Sequence, residues 1–231
     1  MYKCIVFGGN GNIGRTVVDC LLKCNNYIEI AIIYRNKLER WNNKTKLKLI
    51  PIESFDFLND NNYIEVFNNI IGNAKDYNTV FCCLGGRTDS EYEKIDYETP
   101  LKISKICEAL NIAHLSIIST ENSDSNSTDN FLRFRGRMEE EIFPTKIKCI
   151  SFFKTNYVTH QEEPSFYQCI ISFFCCCKAN SIECKKIGKA MVVNDLQVLK
   201  DLYNKGDESI GRTIRNSYTN DDIKKLALIN I

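Results

Sequence analysis

The residues best suited to do chemistry are the glycines that follow the first apolar segment of the chain. Gly9-x-Gly11-x-x-Gly14 fits one spacing of a dinucleotide-binding turn, and Gly8-x-x-Gly11-x-x-Gly14 fits its wider variant. Such a turn is tight, its backbone must approach a pyrophosphate closely, and the next helix must pack on its strand. The free N–H groups at the start of that helix then attract phosphate. We therefore predict that the turn contacts a cofactor through Gly8, Gly9, Asn10, Gly11, Asn12, Ile13 and Gly14.

A basic residue stands where the second predicted strand, residues 27–34, comes to its end. Sites for NAD usually place Asp or Glu near this strand end, where the carboxylate binds the ribose hydroxyls. Here Arg35 follows Tyr34, and Arg40 lies nearby. A guanidinium suits a 2′-phosphate because it forms charge-assisted and often bidentate hydrogen bonds. The sequence thus predicts NADP(H) as the cofactor, with a solvated basic turn as the alternative interpretation of Arg35.

Two further strand ends point to the same cofactor. Asp56 and Phe57 follow the third predicted strand, residues 46–52, and such a pair often borders an adenine pocket. The fourth predicted strand, residues 79–84, ends at Leu84, and Gly85 follows it. Ligands of a doubly wound sheet bind outside the carboxyl ends of its strands. We therefore include these four residues among the predicted cofactor contacts.

Strands and helices alternate along the chain, which predicts an α/β fold. We expect a Rossmann-like doubly wound parallel sheet, with helices on both faces and a small, mostly helical C-terminal part. The chain should form a single domain over residues 1–231, with a cofactor-binding core at 1–158 and a substrate-side extension at 159–231. The other predicted elements are strands at 114–119 and 146–153, and helices at 63–71, 101–110, 130–142 (N-capped by Asp129), 166–177, 189–204 and 221–228.

Composition narrows the classes of partner. The chain has 231 residues and a net charge of +1, so nothing in its overall charge predicts a nucleic-acid partner. Its 12 cysteines show no disulfide spacing, which predicts reduced thiols in a cytoplasmic compartment. Because no C-x-x-C pair occurs and the only histidines are His114 and His160, we predict no metal site.

One apolar segment, Cys169–Cys177, admits two interpretations. It is too short to span a membrane, so a buried helix is the interpretation that we favour. The alternative is peripheral contact with an organelle membrane, helped by acylation of the three adjacent cysteines Cys175, Cys176 and Cys177.

Several of these residues occur together in a known family. They are the glycine turn with Arg15, Tyr34-Arg35, Asp56-Phe57, Phe81-Cys82-Cys83-Leu84-Gly85, Ile95-Asp96-Tyr97, and Ser119-Thr120 upstream of Asn130-Phe131-Leu132. In this set the chain resembles the atypical short-chain dehydrogenase/reductases, and among them the Tat-interacting oxidoreductase-like family, from residue 3 to about residue 158. The resemblance implies a Rossmann fold, NADP(H) at the positions named above, and a catalytic Ser with a Tyr-x-x-x-Lys motif. For some relatives it also implies roles as regulatory binding proteins.

The chain departs from that family in the catalytic motif. Tyr and Lys at i and i+4 share one helix face, where the Tyr transfers a proton and the Lys holds the nicotinamide ribose. The matching positions here are Phe131 and Arg135. Phe131 has no transferable proton, whereas Arg135 keeps a positive charge that can bond ribose hydroxyls or phosphate. Ser119 or Thr120 can still donate to a carbonyl, Tyr157 is a more distant source of a phenol, and Phe131 can alternatively be a core aromatic.

Two functions follow from this departure, and both begin with a bound NADP(H). The first is a reductase of small carbonyl compounds that has a degraded or relocated acid and uses Ser119 or Thr120. The second is a non-catalytic redox-sensing or scaffolding protein whose affinity for a protein partner depends on the cofactor.

Overall fold

The computed structural model of the chain describes residues 1–35, 41, 44–86, 88–159, 181–204 and 213–230. Within these ranges the chain forms a large β-sheet flanked by helices and a separate two-stranded sheet. The strands are β1 (Tyr2–Phe7), β2 (Tyr27–Tyr34), β3 (Leu47–Pro51), β4 (Thr79–Cys82), β5 (His114–Thr120), β6 (Cys149–Thr155), β7 (Tyr157–Thr159), β8 (Ser181–Glu183) and β9 (Ile214–Tyr218). The helices are α1 (Asn12–Lys23), α2 (Tyr63–Ile71), α3 (Asp89–Glu91), α4 (Thr99–Ala109), α5 (Asn130–Ile142), α6 (Cys184–Asn204) and α7 (Asn220–Leu226), with 3₁₀ turns at Phe55–Asn59 and Ala74–Asp76 and a π-helix at Tyr92–Glu98.

The large sheet has seven parallel strands in the order β3-β2-β1-β4-β5-β6-β9, and β7 pairs with β8 alone. The chain builds outwards in one direction from β1 to β3 and then in the other from β4 to β9. This reversal creates a crevice between β1 and β4 at their carboxyl ends, which is where doubly wound sheets bind ligands. The predicted Rossmann-like fold is confirmed.

Two apolar layers hold helices against the opposite faces of the sheet. On one face the strands pack against α2, α4 and α5, whose contributions include Phe67, Ile103 and Met138. On the other face they pack against α1, α6 and α7, with Leu21 and Met191 among the fully buried side chains. Central strands covered on both sides need apolar residues throughout, which explains the nearly unbroken hydrophobic segments of β1, β4 and β5.

The start of α5 illustrates how local sequence sets an element. The Asp129 carboxylate accepts a hydrogen bond from the Leu132 backbone N–H at 2.9 Å, as predicted for an N-cap. Farther along the helix, Phe134, Met138 and Ile142 are buried at helical spacing. The helix therefore presents a fixed face to the sheet, which determines where its remaining side chains point.

From residue 157 onward the described chain contains three strands that were not predicted, β7, β8 and β9. Residues 214–218 were not predicted as a strand, yet β9 pairs in parallel with β6 and extends the central sheet. The helices predicted at 189–204 and 221–228 are present as α6 and α7, and α6 packs on α1, where a Cβ on Gly188 would come within 2.1 Å of the Thr16 hydroxyl oxygen. The described portion of residues 159–231 therefore completes the sheet and covers α1.

Other predictions for the tail fall outside the described residues. These are the helix at 166–177, the apolar segment Cys169–Cys177 and His160. In the part of the chain that is described, no helix has both the length and the apolar character needed to cross a membrane. The eight cysteines of that part are free thiols.

A buried polar network joins the amino ends of several strands to α6. The Asp195 carboxylate accepts hydrogen bonds from the Tyr27 hydroxyl, from the Thr79 hydroxyl at 2.7 Å and from His114 Nδ1 at 2.5 Å. The other ring nitrogen of His114 bonds the Ser151 hydroxyl at 2.9 Å. None of these five side chains is exposed to solvent. His114 is thus a packed residue that ties α6 to the sheet.

Candidate functional site

The glycine turn after β1 is shaped by backbone contacts that leave no room for side chains. Gly8 has φ +75°, in the left-handed region, and a Cβ there would lie 2.6 Å from the Cys83 carbonyl oxygen. A Cβ on Gly14 would lie 2.1 Å from the Gly8 carbonyl oxygen, so α1 approaches the turn as closely as glycine permits. The Gly11 N–H donates to the Gly8 carbonyl at 2.9 Å and closes the turn. This is the tight strand-turn-helix geometry that the spacing predicts.

The start of α1 faces the turn without a capping side chain. Its N-cap is Gly11, which offers no side-chain acceptor, and the first turn contains no acidic residue. Asn12 and Ile13 are the first helical residues, and the Asn12 side chain accepts from the Arg15 guanidinium at 2.6 Å. The N-terminal N–H groups and the positive end of the helix dipole are therefore not offset by a carboxylate in this turn.

A cleft of about 260 Å³ opens beside the turn, at the carboxyl ends of β1, β2 and β4. The predicted residue Arg35 lines this cleft and is exposed, with its guanidinium 5.8 Å from the centroid of the Phe55 ring. Leu84 and Gly85 lie on the β4 side. The residues that line the cleft are Gly8, Asn10, Gly11, Ile33, Tyr34, Arg35, Phe55, Cys83, Leu84, Gly85, Glu91 and Ile95.

Asp56 and Phe57 occupy a different position from the other predicted contacts. The exposed Asp56 carboxylate accepts from the Lys94 ammonium at 2.6 Å and from the Ser54 hydroxyl at 2.6 Å. Hydrogen bonds from Lys94 and Ser54 lower the pKa of this carboxyl. Phe57 is half-buried against the core. The turn contributes its neighbour Phe55 to the cleft wall, and sequence reasoning missed that residue because the family pattern points to the two residues after it.

Arg135 is engaged within the protein. The residue is 3% exposed, and its side chain forms an ion pair with Asp96, which is fully buried. The guanidinium also donates to the Ile118 carbonyl at 2.5 Å and the Leu84 carbonyl at 3.0 Å, whereas its buried Nε has no hydrogen-bond partner among the described residues. Asp96 in turn accepts from the Gly86 N–H at 2.7 Å. The pair therefore joins the ends of β4 and β5 to the π-helix.

The predicted catalytic hydroxyls lie at the end of β5. Ser119 is 2% exposed, and its hydroxyl donates to the Glu139 carboxylate on α5. Glu139 also forms an ion pair with Lys154, at 2.6 Å, and accepts from the Ser123 hydroxyl at 2.7 Å. Thr120 is half-buried next to Ser119. Donation by Ser119 to a substrate would require this hydroxyl to leave Glu139.

Phe131 is half-buried and lies between an aromatic ring and a cation. The Tyr92 ring is 5.3 Å from it, centroid to centroid, and the Arg135 guanidinium carbon is 5.7 Å from its centroid. Phe134, rather than Phe131, forms the buried aromatic contact of α5 with the core. The strand that contains Tyr157 is described, but the side chain of that residue lies outside the described part of the chain.

The site thus brings together the glycine turn, Arg35 and the end of β4, with Arg135 and Ser119 behind them. The partners Asp96, Glu139 and Lys154 were not predicted as site residues. Asp96 had a signal in the family motif, and Glu139 lies one turn after Arg135 on the same face of α5. Across the described residues, no three His, Cys, Asp or Glu side chains group closely enough to hold a metal ion.

Comparisons with known proteins agree with the fold described above. No protein-family model matches the chain. Protein HTATIP2 of Rattus norvegicus is 23% identical over 168 residues, which cover 69% of this chain and 64%, less than two thirds, of the rat protein. A putative NAD-dependent epimerase/dehydratase from Bacillus halodurans has a TM-score of 0.63 at 14% identity, covering 99% of each chain. The Bordetella bronchiseptica enzyme WbmH in complex with NAD+ has a TM-score of 0.64 at 10% identity, covering 94% of this chain and 86% of that one.

The two solved structures have the same fold as this chain, and the match to HTATIP2 is a similarity in sequence. The chain is thus similar to the atypical short-chain dehydrogenase/reductases, and specifically to the Tat-interacting oxidoreductase-like type, as its motifs indicate.

Proposed function

We propose that this protein binds NADP(H) and acts as an oxidoreductase on small carbonyl compounds. The observation that carries the proposal is Arg35, which is exposed and lines the same cleft as the glycine turn. In the described part of the chain, β2 ends at Tyr34 and Arg35 follows it, so a basic residue stands where NAD sites usually place an acidic one. A guanidinium in this place selects for the 2′-phosphate through charge and bidentate geometry.

The glycine turn supports the fit of a dinucleotide. Its backbone is bare where a Cβ on Gly8 or Gly14 would collide with neighbouring carbonyl groups, so a pyrophosphate can approach the main chain. The uncapped start of α1 supplies N–H donors for the phosphates. In the proposal the turn and α1 hold the pyrophosphate, Arg35 holds the 2′-phosphate, and Leu84 and Gly85 border the rest of the cofactor.

A bound NADPH would supply a hydride for carbonyl reduction. The chain's own part is to orient the cofactor and the substrate and to provide a proton. Arg135 fixes a positive charge behind Gly85, since a Cβ on that glycine would lie 3.6 Å from the guanidinium. Asp56 and Phe57 stay in the proposal as outer contacts of the adenine end. The free thiols of the described cysteines favour a reducing, cytoplasmic compartment.

The second candidate is a non-catalytic NADP(H)-dependent regulatory or scaffolding protein. The observation that favours it is the engagement of the expected catalytic groups. The Ser119 hydroxyl donates to Glu139, Arg135 is paired with Asp96, and Phe131 has no proton to transfer. In this function the cofactor would change the affinity for a protein partner without being consumed.

Cofactor binding can be tested with the single tryptophan. Trp41 is buried near the turn, with a ring carbon 3.8 Å from where a Cβ on Gly9 would be. We expect NADPH to change its fluorescence, and NADPH at 100-fold excess over its Kd should stabilise the protein by about 2.7 kcal/mol. NADH at the same concentration should stabilise it less. Gly14→Ala should abolish both responses, whereas the control Gly72→Ala, at a turn outside the cleft lining, should keep them. Equal responses to both cofactors would contradict the proposed recognition of the 2′-phosphate by Arg35. No response to either cofactor would refute the whole proposal.

A further inference from the structure

The ring that replaces the family's catalytic tyrosine has a phenol packed against it. The Tyr92 and Phe131 rings are 5.3 Å apart between centroids and inclined at 57°. Tyr92 belongs to the segment between β4 and α4, so the sequence motif around residue 131 gives no sign of it. The functional group that residue 131 lacks is therefore present in the adjoining wall of the site.

Tyr92 lies at the edge of the proposed cofactor cleft. It begins the π-helix Tyr92–Glu98, and its neighbours Glu91 and Ile95 both line the cleft. A Cβ on Gly86 would lie 3.0 Å from the Tyr92 ring, so this ring rests on the turn that follows β4. π-Helical segments are rare and occur frequently at functional sites. Tyr92 is thus adjacent to cleft-lining residues on the β4 side.

The hydroxyl of Tyr92 differs from that of the other tyrosine in the same helix. Tyr97 donates to the Glu141 carboxylate at 2.5 Å and accepts from the Arg137 guanidinium at 3.0 Å. Tyr92 is half-buried, and its hydroxyl makes no hydrogen bond to any described residue. A phenol that is not bound within the protein is available to a substrate oxygen.

The positive charge of the site lies beside the same aromatic pair. The Arg135 guanidinium carbon is 5.7 Å from the centroid of the Phe131 ring, whose neighbour is Tyr92. Its ion-pair partner Asp96 is on the π-helix that Tyr92 begins, four residues later. The π-helix thus carries the Tyr92 phenol and also holds the Arg135 cation through Asp96. A fixed cation of this kind stabilises the negative charge that develops on a reacting oxygen.

We propose that Tyr92 is the proton donor of the reaction, an assignment that rests on the proposed oxidoreductase function. In the reduction of an aldehyde or ketone, the Tyr92 O–H bond breaks and its proton joins the carbonyl oxygen. Bound NADPH would supply the hydride that the carbonyl carbon accepts, and the electron pair of the C=O π bond would become the new O–H bond. The product is an alcohol, and the Tyr92 phenolate regains a proton from water.

The kinetic test compares Tyr92→Phe with the matched control Tyr97→Phe on a panel of aldehydes and ketones, following NADPH absorbance. We expect Tyr92→Phe to lower kcat by about 10²–10⁴-fold while the NADPH affinity stays unchanged. Tyr97→Phe should retain the wild-type kcat. A Tyr92→Phe variant that retains the wild-type kcat would overturn the assignment. A wild type that binds NADPH but reduces none of the compounds would also overturn it, without contradicting cofactor binding.

A second measurement does not depend on turnover. Nitration by tetranitromethane, located by mass spectrometry, should modify Tyr92 in the ligand-free wild type, and NADP+ should protect it. Tyr97 should be nitrated to the same extent with and without NADP+. Nitration of Tyr92 that bound NADP+ leaves unchanged would overturn its place at the site. A failure to bind either form of the cofactor would refute the proposed function itself.

Discussion

Two buried ion pairs lie at opposite ends of the same sheet, and they differ in how completely their polar atoms are satisfied. At the amino end, the Asp195 carboxylate receives hydrogen bonds from Tyr27, Thr79 and His114. At the carboxyl end, Arg135 pairs with Asp96 next to the cleft, and its buried Nε has no partner among the described residues. The first ion pair is fully buried and hydrogen-bonded and stabilises the fold, whereas the second lies next to an open cleft.

The comparison also shows why connectivity alone does not define an active site. Ser151, His114 and Asp195 are joined in the order of a nucleophile, a base and an orienting carboxylate. All three are completely buried, so no substrate reaches the serine. At the other end Arg135 is also buried, but it contacts Leu84 and Gly85, which line a cleft together with Arg35 and the glycine turn. Access distinguishes the two regions more clearly than residue type does.

The largest effect on stability is expected from Asp195→Ala. It removes the acceptor of three buried hydrogen bonds and leaves His114 without its counter-ion, which should lower the free energy of unfolding by about 3–5 kcal/mol. Chemical denaturation followed by circular dichroism measures this. The control Asp201→Ala, exposed on the same helix, should change it by less than about 0.5 kcal/mol. Similar small effects from both variants would show that the amino-end network does not stabilise the fold.

The buried pair of His114 and Asp195 should also make the free energy of unfolding depend on pH. Burial alone lowers the pKa of His114, but the hydrogen bond to the Asp195 carboxylate and the charge of that carboxylate outweigh burial and raise the pKa to about 9. The protonated ring therefore stabilises the fold fully below pH 6.5, and this contribution is lost as pH rises through about 9. We expect the free energy of unfolding to fall by up to about 3 kcal/mol over that interval.

The variant that isolates this effect is His114→Gln/Asp195→Asn, which keeps polar atoms in place but removes both charges. Its free energy of unfolding should be nearly constant between pH 6.5 and pH 9. A wild-type protein whose stability is equally flat over this interval would contradict a charged His114 in the folded state.

A smaller loss of stability is expected at the carboxyl end. Arg135→Met leaves Asp96 buried without its cation, but the Asp96 carboxylate keeps its hydrogen bond from the Gly86 N–H, so we expect a cost of about 2 kcal/mol. Adding Asp96→Asn to Arg135→Met should recover part of it. Denaturant titration measures both. A loss of unfolding free energy as large as that of Asp195→Ala would show that the two ion pairs contribute equally to stability.

Local features of the fold were predictable because their causes are local. The glycine spacing gave the turn before α1, and Asp129 gave the start of α5. The strand β9 was missed because its sequence, IRNSY, has only one strongly apolar residue and lies at a sheet edge. Its pairing with β6 joins residues more than 60 positions apart, and no periodicity within five residues encodes that.

The candidate site was predictable only in part, for a similar reason. Gly8, Gly11, Arg35, Leu84 and Gly85 do line one cleft, because strand ends of a parallel sheet converge. The side chains behind this cleft contact partners that are distant in the sequence. Arg135 meets Asp96, Ser119 meets Glu139 and Phe131 meets Tyr92, and no spacing rule connects the members of these pairs. Their positions depend on how α5 and the π-helix pack together.

The most direct test of the central claim is the ratio of NADH to NADPH dissociation constants for wild type and Arg35→Ala. Calorimetric titration gives both constants, and Lys185→Ala, exposed on α6, serves as the charge-matched control. We expect the wild type and the control to bind NADPH about 10-fold or more tightly than NADH, in line with a charged hydrogen-bonded contact worth about 1.5–3 kcal/mol. Arg35→Ala should bind the two cofactors equally. A wild-type ratio near one, or a ratio that Arg35→Ala leaves unchanged, would contradict the account.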